Sequence, residues 1–425
     1  MDIFQIVFLV VQVLIITLAV TTGFAYLTWY ERRLLARFQN RVGPNRAGPL
    51  GLLQPAADAV KLFFKEDVIP TASDKVVYLL APVLAVMTAI VIWAVIPFGC
   101  LNLNGDHTAC FDPARRDEVW NALQVAEVNI GILFILAVTS IGVYGITLAG
   151  WASNSKYAML GGIRSSAQLI SYELAFGMAV LSAVMFSGTL STWEIVLAQE
   201  GLWFFIPLIL GFLLFMISAT AELVRAPFDL VEAEQELTSG YNTEYGSMKF
   251  ALFFMSEYIK MIAMSAIATT LFFGGWRFPG LETLGDGVAA LAGPWPAAII
   301  VGLVSLGSFL LKVAMFLFIF VWLRASWPRM RYDQLMQFGW KSLLPLAILN
   351  LVMVPVVIVL VPDNRYLQTV ILFVLGIATI FGAARIGGRG RVKRKVELVQ
   401  PVPEGKQASM ANSGPASKQT SGAAS

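Results

Sequence analysis

The chain has 425 residues, 57% of them hydrophobic and only 13% charged, with a formal net charge of +3. That balance excludes a soluble globular domain and gives no support to a nucleic-acid partner. Two cysteines and one histidine are too few for an iron–sulfur cluster with four ligands, a multi-histidine metal site or a haem ligand pair.

The class indicated is an all-α polytopic membrane protein. A run of about 20 apolar residues crosses the hydrocarbon core as a helix. Nine such runs are expected, at 3–27, 77–97, 119–149, 163–187, 203–223, 249–273, 298–323, 342–361 and 367–384. The third is long enough to require tilt or a break. The alternation of an outer-membrane barrel is absent, so helices must satisfy the backbone.

The first run has no basic segment ahead of it and is followed by Arg32 and Arg33, the reverse of a secretory signal peptide. With the N-terminus outside, Arg115, Arg116, Arg277 and Arg365 fall on the outer side, and Lys260 and Lys312 fall within spans. That leaves 24 of the 30 basic residues on the inner side. The opposite topology inverts the positive-inside bias.

The first inner loop contains VGPNRAGPLGLLQPAADAVKLFFKEDVIP. On a helical wheel Leu53, Ala57, Val60 and Phe64 form a narrow apolar stripe, with Asp58, Lys61 and Lys65 on another face. This reads as an amphipathic helix on the cytoplasmic membrane surface. Pattern alone favours a simple interfacial anchor over the rim of an opening for a lipid-like ligand. In the next outer loop Cys100 and Cys110 lie on the oxidising side, as either a disulfide or two free thiols.

Several charges fall inside the runs: Glu127 in the third, Glu173 in the fourth, Glu257 and Lys260 in the sixth and Lys312 in the seventh. Each costs at least about 2.5–3.5 kcal/mol at the bilayer centre, so such residues pair or line a hydrated path. Glu257 and Lys260, three apart on one helix face, are candidates for structural pairing. The set as a whole favours a proton or ion path. Glu127, near the outer end, is given no role.

The densest feature is AELVRAPFDLVEAEQELTSGYNTEYGSMKF, residues 221–250. Glu222, Asp229, Glu232, Glu234, Glu236 and Glu244 stand there against Arg225, with Lys249 at the segment's end. An extended strand puts Glu232, Glu234 and Glu236 on one face, and a helix makes Glu232 and Glu236 repel. Carboxylates this close raise one another's pKa and share protons if the site is dry. A solvated acidic loop is the plainer alternative. It loses ground because Phe228, Leu230, Val231, Leu237 and Tyr241 are interleaved and favour burial.

The bundle is expected to occupy residues 1–386, with functional loops at 31–76 and 224–248. A basic, then disordered cytoplasmic tail follows over 387–425. Neither a phosphate-binding glycine loop nor a dinucleotide fingerprint is present.

Four segments carry a resemblance: YERRLLARFQNRVGPNRAGPLGLLQPAADAVKLFFKED, GWASNSKYAMLGGIRSSAQLISYEL, AELVRAPFDLVEAEQELTSGYNTEYGSMKFALFFMSEY and LRASWPRMRYDQLMQFGWKSLLP. On these the chain resembles the H subunit of respiratory complex I, the proton-pumping NADH:quinone oxidoreductase. The match runs from the first span through the eighth, and the length beyond the mitochondrial form points to a bacterium. The resemblance implies a multi-pass protein of the bacterial inner membrane that joins a peripheral electron-carrying arm to a proton-pumping arm. Quinone is implied as substrate. Flavin, iron–sulfur clusters and metals are expected on partner subunits, with small and antiporter-like membrane subunits and lipid as further neighbours.

By motif, Arg32, Arg41, Asp58, Lys61, Arg225, Phe228 and Arg324 are implied as quinone-chamber residues. Glu31, Glu173, Glu222, Asp229, Glu232, Glu234, Glu236, Glu244 and Glu257 are implied as an acidic proton path, with Arg164, Lys260 and Lys312 as its cations. The competing readings are the anchor subunit of a membrane-bound nickel–iron hydrogenase, an autonomous cation/proton transporter, and a scaffold.

Overall fold

The computed structural model describes residues 3–104, 106–112, 115, 121–229, 240–362 and 364–397, those after 385 as backbone only. Glu232, Glu234 and Glu236 therefore lie outside the described residues. Two compact units divide the chain, Met1–Gly376 and Ile377–Ser425.

Among the described residues, eight helices are long and apolar enough to cross a membrane, and a ninth apolar helix is shorter. In chain order the helices are α1 (Ile3–Phe38), α2 (Gln54–Phe64), α3 (Lys75–Val91), α4 (Gly131–Ala152), α5 (Lys156–Ser187), α6 (Thr192–Ala198) and α7 (Ile209–Glu222). They continue with α8 (Ser247–Phe272), α9 (Leu281–Ala292), α10 (Pro294–Ser326), α11 (Tyr332–Phe338), α12 (Leu344–Leu360) and α13 (Arg365–Glu397).

Small residues decide the packing in the first half. Helix α4 lies against α3 and α5, and α5 also carries α7 and α12. A Cβ on Gly145 would come within 3.0 Å of the Ala85 nitrogen, and one on Gly162 within 3.2 Å of Gly150 Cα. Without a hydrophobic drive between helices in lipid, such close backbone approach supplies the dispersion contacts that hold the bundle. Helix α8 is the second hub, packing on α1, α2, α3 and α10.

Helices α1 and α10 have 36 and 33 residues. At 1.5 Å per residue each is longer than the roughly 30 Å hydrocarbon core. Their C-terminal ends meet, and there Glu31 of α1 binds Arg324 of α10.

Two expected spans are revised. The third apolar run is a helix only from Gly131. Ahead of it, Asn121 donates to the Gly99 carbonyl and the Gln124 side chain to that of Val95, so this stretch belongs to the loop. Glu127 accordingly stands in the loop rather than in a span. The fifth run is helical only over Ile209–Glu222, because the segment before it turns through residues 204–208. On the same loop side Cys100 is bonded to Cys110.

Candidate functional site

Helices α1, α2 and α8 enclose a cavity of about 680 Å³. Phe24 and Thr28 come from α1, Phe63 and Phe64 from α2, and Phe250, Phe254 and Met255 from α8. Arg32, Asp58 and Lys61 add charge to this otherwise apolar lining. Arg32 Nη1 pairs with Asp58 Oδ2 at 2.6 Å, and Gln54 donates to the other Asp58 oxygen at 3.1 Å. The expected stripe on α2 is exposed at Leu53, Ala57, Val60 and Phe64, and no residue of this helix is buried.

Behind the cavity lies a buried ion network. Arg225 Nη1 donates to both oxygens of Glu31, at 2.8 and 2.7 Å. Its Nε stands 3.0 Å from Glu257 Oε1, and Arg324 closes on Glu31 from α10. Two carboxylates thus face two guanidinium groups, contributed by α1, α8, α10 and the segment after α7. Glu31 and Arg225 are buried, Glu257 partly so, and Arg324 reaches solvent; the buried pair would be costly to break, since it leaves a charge uncompensated.

The Arg225 guanidinium also lies over the Tyr258 ring, 4.4 Å from its centroid, where the ring's negative face attracts it. Burial opposes the Arg225 charge, but Glu257, Glu31 and Tyr258 more than offset it and hold its pKa well above the ordinary value. The other side of the wall is aromatic. Phe254 and Phe24 contact Tyr258 with centroids 4.7 and 6.1 Å apart. The cavity-lining rings of Phe24 and Phe254, with Tyr258 packed behind them, therefore stand between the apolar cavity and Arg225.

A second charge group follows. Glu222, Glu257, Lys260 and Ser256 line a small cavity of about 30 Å³, room for a water molecule or two. Oε2 of Glu222 is buried there with no protein hydrogen-bond partner. Glu173 lies within electrostatic reach of Glu222 and Lys260, and accepts a hydrogen bond from the Ser140 hydroxyl. Space for the lysine depends on Gly142, where a Cβ would stand 3.0 Å from Lys260 Nζ. Glu257 and Lys260 do share a helix face, but the ion pair Glu257 makes is with Arg225.

The remaining expected residues are more dispersed. Phe228 is buried against Tyr172, and its carbonyl accepts from Gln168. Asp229 pairs with Arg329 at 2.7 Å. The Glu244 backbone carbonyl accepts from Tyr78. Arg41 sits on an exposed turn with Gln39, outside the cavity lining, and Arg164 lies over the Tyr332 ring.

Lys312 is set apart from the acidic groups. Its ammonium donates to the carbonyls of Phe273, Gly275 and Arg277 at 2.7–2.8 Å, just past the end of α8. Those contacts use all three of its donors.

Three participants escaped the sequence reading: Tyr258, Arg329 and Lys249, whose ammonium stands 2.9 Å from Asp67. Lys249 interrupts the start of an apolar run, and Tyr258 follows Glu257 directly, so both carried a weak signal. Arg329 is one of several basic residues in the loop after α10 and carried none. Among the described residues no three His, Cys, Asp or Glu side chains converge as a metal site requires.

Fold and site define a polytopic helical membrane protein in which an apolar cavity is backed by buried carboxylate–arginine pairs. The chain belongs to the NADH dehydrogenase family, whose profile matches residues 11–355. Similar curated relatives are each named as the H subunit of an NADH-quinone oxidoreductase. That of Deinococcus deserti is 46% identical over 401 residues, covering 93% of this chain and 95% of its own length. That of Protochlamydia amoebophila is 48% identical over 332 residues, 78% of this chain and 91% of the relative. That of Deinococcus radiodurans is 47% identical over 375 residues, 87% of each.

Proposed function

We propose that this chain is the quinone-facing membrane subunit of a proton-translocating NADH:quinone oxidoreductase. The cavity between α1, α2 and α8 takes the quinone, and the buried charges behind it couple quinone reduction to proton movement. The observation that carries this reading is the thin aromatic layer of Phe24, Phe254 and Tyr258 between the cavity and Arg225. A charge change on one side is felt on the other without the two compartments mixing.

Quinone becomes quinol by taking two electrons and two protons. The electrons come from an iron–sulfur centre on a peripheral-arm subunit, and this chain supplies the chamber. Charge developing at the headgroup acts on Arg225 and its carboxylates through a poorly screened interior. At about 10 Å and an effective dielectric of about 20, one unit charge is worth about 1.7 kcal/mol. That is a bias of more than tenfold on a proton equilibrium. The next group, Glu222 and Glu173 with Lys260, has two carboxyls for one ammonium, so electroneutrality leaves a place for one mobile proton. Coupled titration passes the bias on toward antiporter-like membrane subunits. Glu232, Glu234, Glu236 and Glu244 extend the acidic path, and Arg164 is a cationic neighbour.

The protein is placed in a bacterial plasma membrane with its N-terminus outside and its tail cytoplasmic, as the distribution of Lys and Arg supports. Residues 1–386 form the membrane bundle and 387–425 the tail. Glu222→Gln or Glu173→Gln, in an assembled complex, should impair quinone-dependent proton pumping while sparing NADH oxidation by an artificial acceptor. Normal pumping per electron in both variants would remove these residues from the path.

A further inference from the structure

Helix α2 forms one wall of the large cavity yet has no buried residue of its own. Polar ties hold it at two places. Toward its start, Asp58 is held by Arg32 of α1. At its end, the Ser247 hydroxyl lies 3.0 Å from the carbonyls of both Leu62 and Lys65. Just beyond, Lys249 Nζ stands 2.9 Å from Asp67. The cavity lies between these two ties.

The bundle side of the second tie is rigid. Tyr245 stacks on Tyr78 of α3 with centroids 4.2 Å apart and donates to its carbonyl, while the Tyr78 hydroxyl donates to the Glu244 carbonyl. Lys249 is itself buried and rests over the Tyr78 ring at 5.0 Å. Upstream, the backbone at Gly240 is so close to α5 that a Cβ on Gly161 would stand 2.7 Å from it. Ser247 holds a φ of +52°, a region that residues other than glycine rarely adopt. Its hydroxyl is thus aimed at α2 against local backbone preference. One side of the contact is fixed to the core, and the other is a helix with little else to hold it.

We propose that Ser247, Lys249 and Asp67 are positioning residues that latch the C-terminal end of α2 to the bundle and so set the opening of the cavity. Released at this end, α2 stays tethered through Arg32 and Asp58 and swings outward. The latch stands three residues after Glu244, so the segment that ends the acidic loop also holds the cavity wall. The consequence for quinone access rests on the functional reading above; the latch itself does not.

The two cysteines of this chain are bonded to each other. Ala251→Cys therefore introduces its one free thiol, on the cavity wall. The rate at which this chain reacts with N-ethylmaleimide is measured in native membranes, alone and combined with Asp67→Asn, with Ser247→Ala, or with the swap Asp67→Lys plus Lys249→Asp. The latch predicts severalfold faster labelling with either single change and the parental rate in the swap. Unchanged labelling in both single variants overturns it, and a swap that labels as fast as Asp67→Asn removes the ion pair from it. In the same membranes the KM for a short-tailed quinone should shift severalfold with kcat held. Faster labelling with an unmoved KM leaves the latch standing and tells against quinone in this cavity.

Discussion

Arg225 and Lys312 are both cations drawn into the protein interior, but they are neutralised in opposite ways. Arg225 is surrounded by Glu31 and Glu257, and Lys312 by three backbone carbonyls. A carboxylate can take up a proton, so the Arg225 network can exist in more than one charge state. A carbonyl cannot, so the Lys312 site has a fixed acceptor set. The contrast separates a cation held by groups that can themselves titrate from one held by groups that cannot. Counting buried charges does not make this distinction; the identity of the acceptor does.

The largest effect expected is at Arg225. Arg225→Met leaves the buried Glu31 and the partly buried Glu257 without their shared cation, which should cost about 3–5 kcal/mol and deplete assembled protein. Thermal unfolding of membranes followed by native electrophoresis would measure it. Arg225→Lys should recover only part, because an ammonium does not reproduce the contacts of the guanidinium. Wild-type stability in Arg225→Met would mean that the network does not hold the fold.

Lys312→Met should have a smaller effect, about 2–3 kcal/mol for lost charge-assisted hydrogen bonds. The assembled fraction should pump the same number of protons per electron as the parent. A drop in that ratio would put Lys312 on the proton path and erase the contrast with Arg225.

The smallest effect concerns a titrating group outside the bundle, Asp106. The Thr108 hydroxyl donates to it and holds its carboxyl below the usual range, with burial opposing and Arg115 adding to the depression. A depressed carboxylate stabilises the fold above its unfolded pKa and loses that contribution as pH falls through the folded value. Asp106→Asn should therefore lower stability at pH 7 by less than about 1 kcal/mol, since solvent screens this site. The gap to the parent should close below about pH 4. A gap that persists in acid would trace to packing instead of charge.

Most of the spans were legible because about 20 apolar residues in a row leave few alternatives. The loop before α4 was not, since it is nearly as apolar as a helix and is fixed by Asn121 and Gln124 side chains. Short elements such as α6, α9 and α11 also escaped, being seven to twelve residues long with no span-like composition. At the site, residue types were legible and partners were not. Spacing put Glu257 and Lys260 on one face, yet a guanidinium from a distant segment reached Glu257. Periodicity reports which side of a helix a residue occupies, and long-range pairs such as that of Asp229 with Arg329 are set by helix packing.

The Glu31 network also has a consequence for assembly. Glu31 precedes Arg225 by 194 positions and Arg324 by 293. At about 5–20 residues per second, its first partner leaves the ribosome roughly 10–40 s after Glu31 does. Through that interval a buried Glu31 carboxylate would lack both guanidinium partners. The C-terminal end of the first helix therefore reaches its final place late, after α10 has been made, and the earliest span synthesised is among the last to be locked.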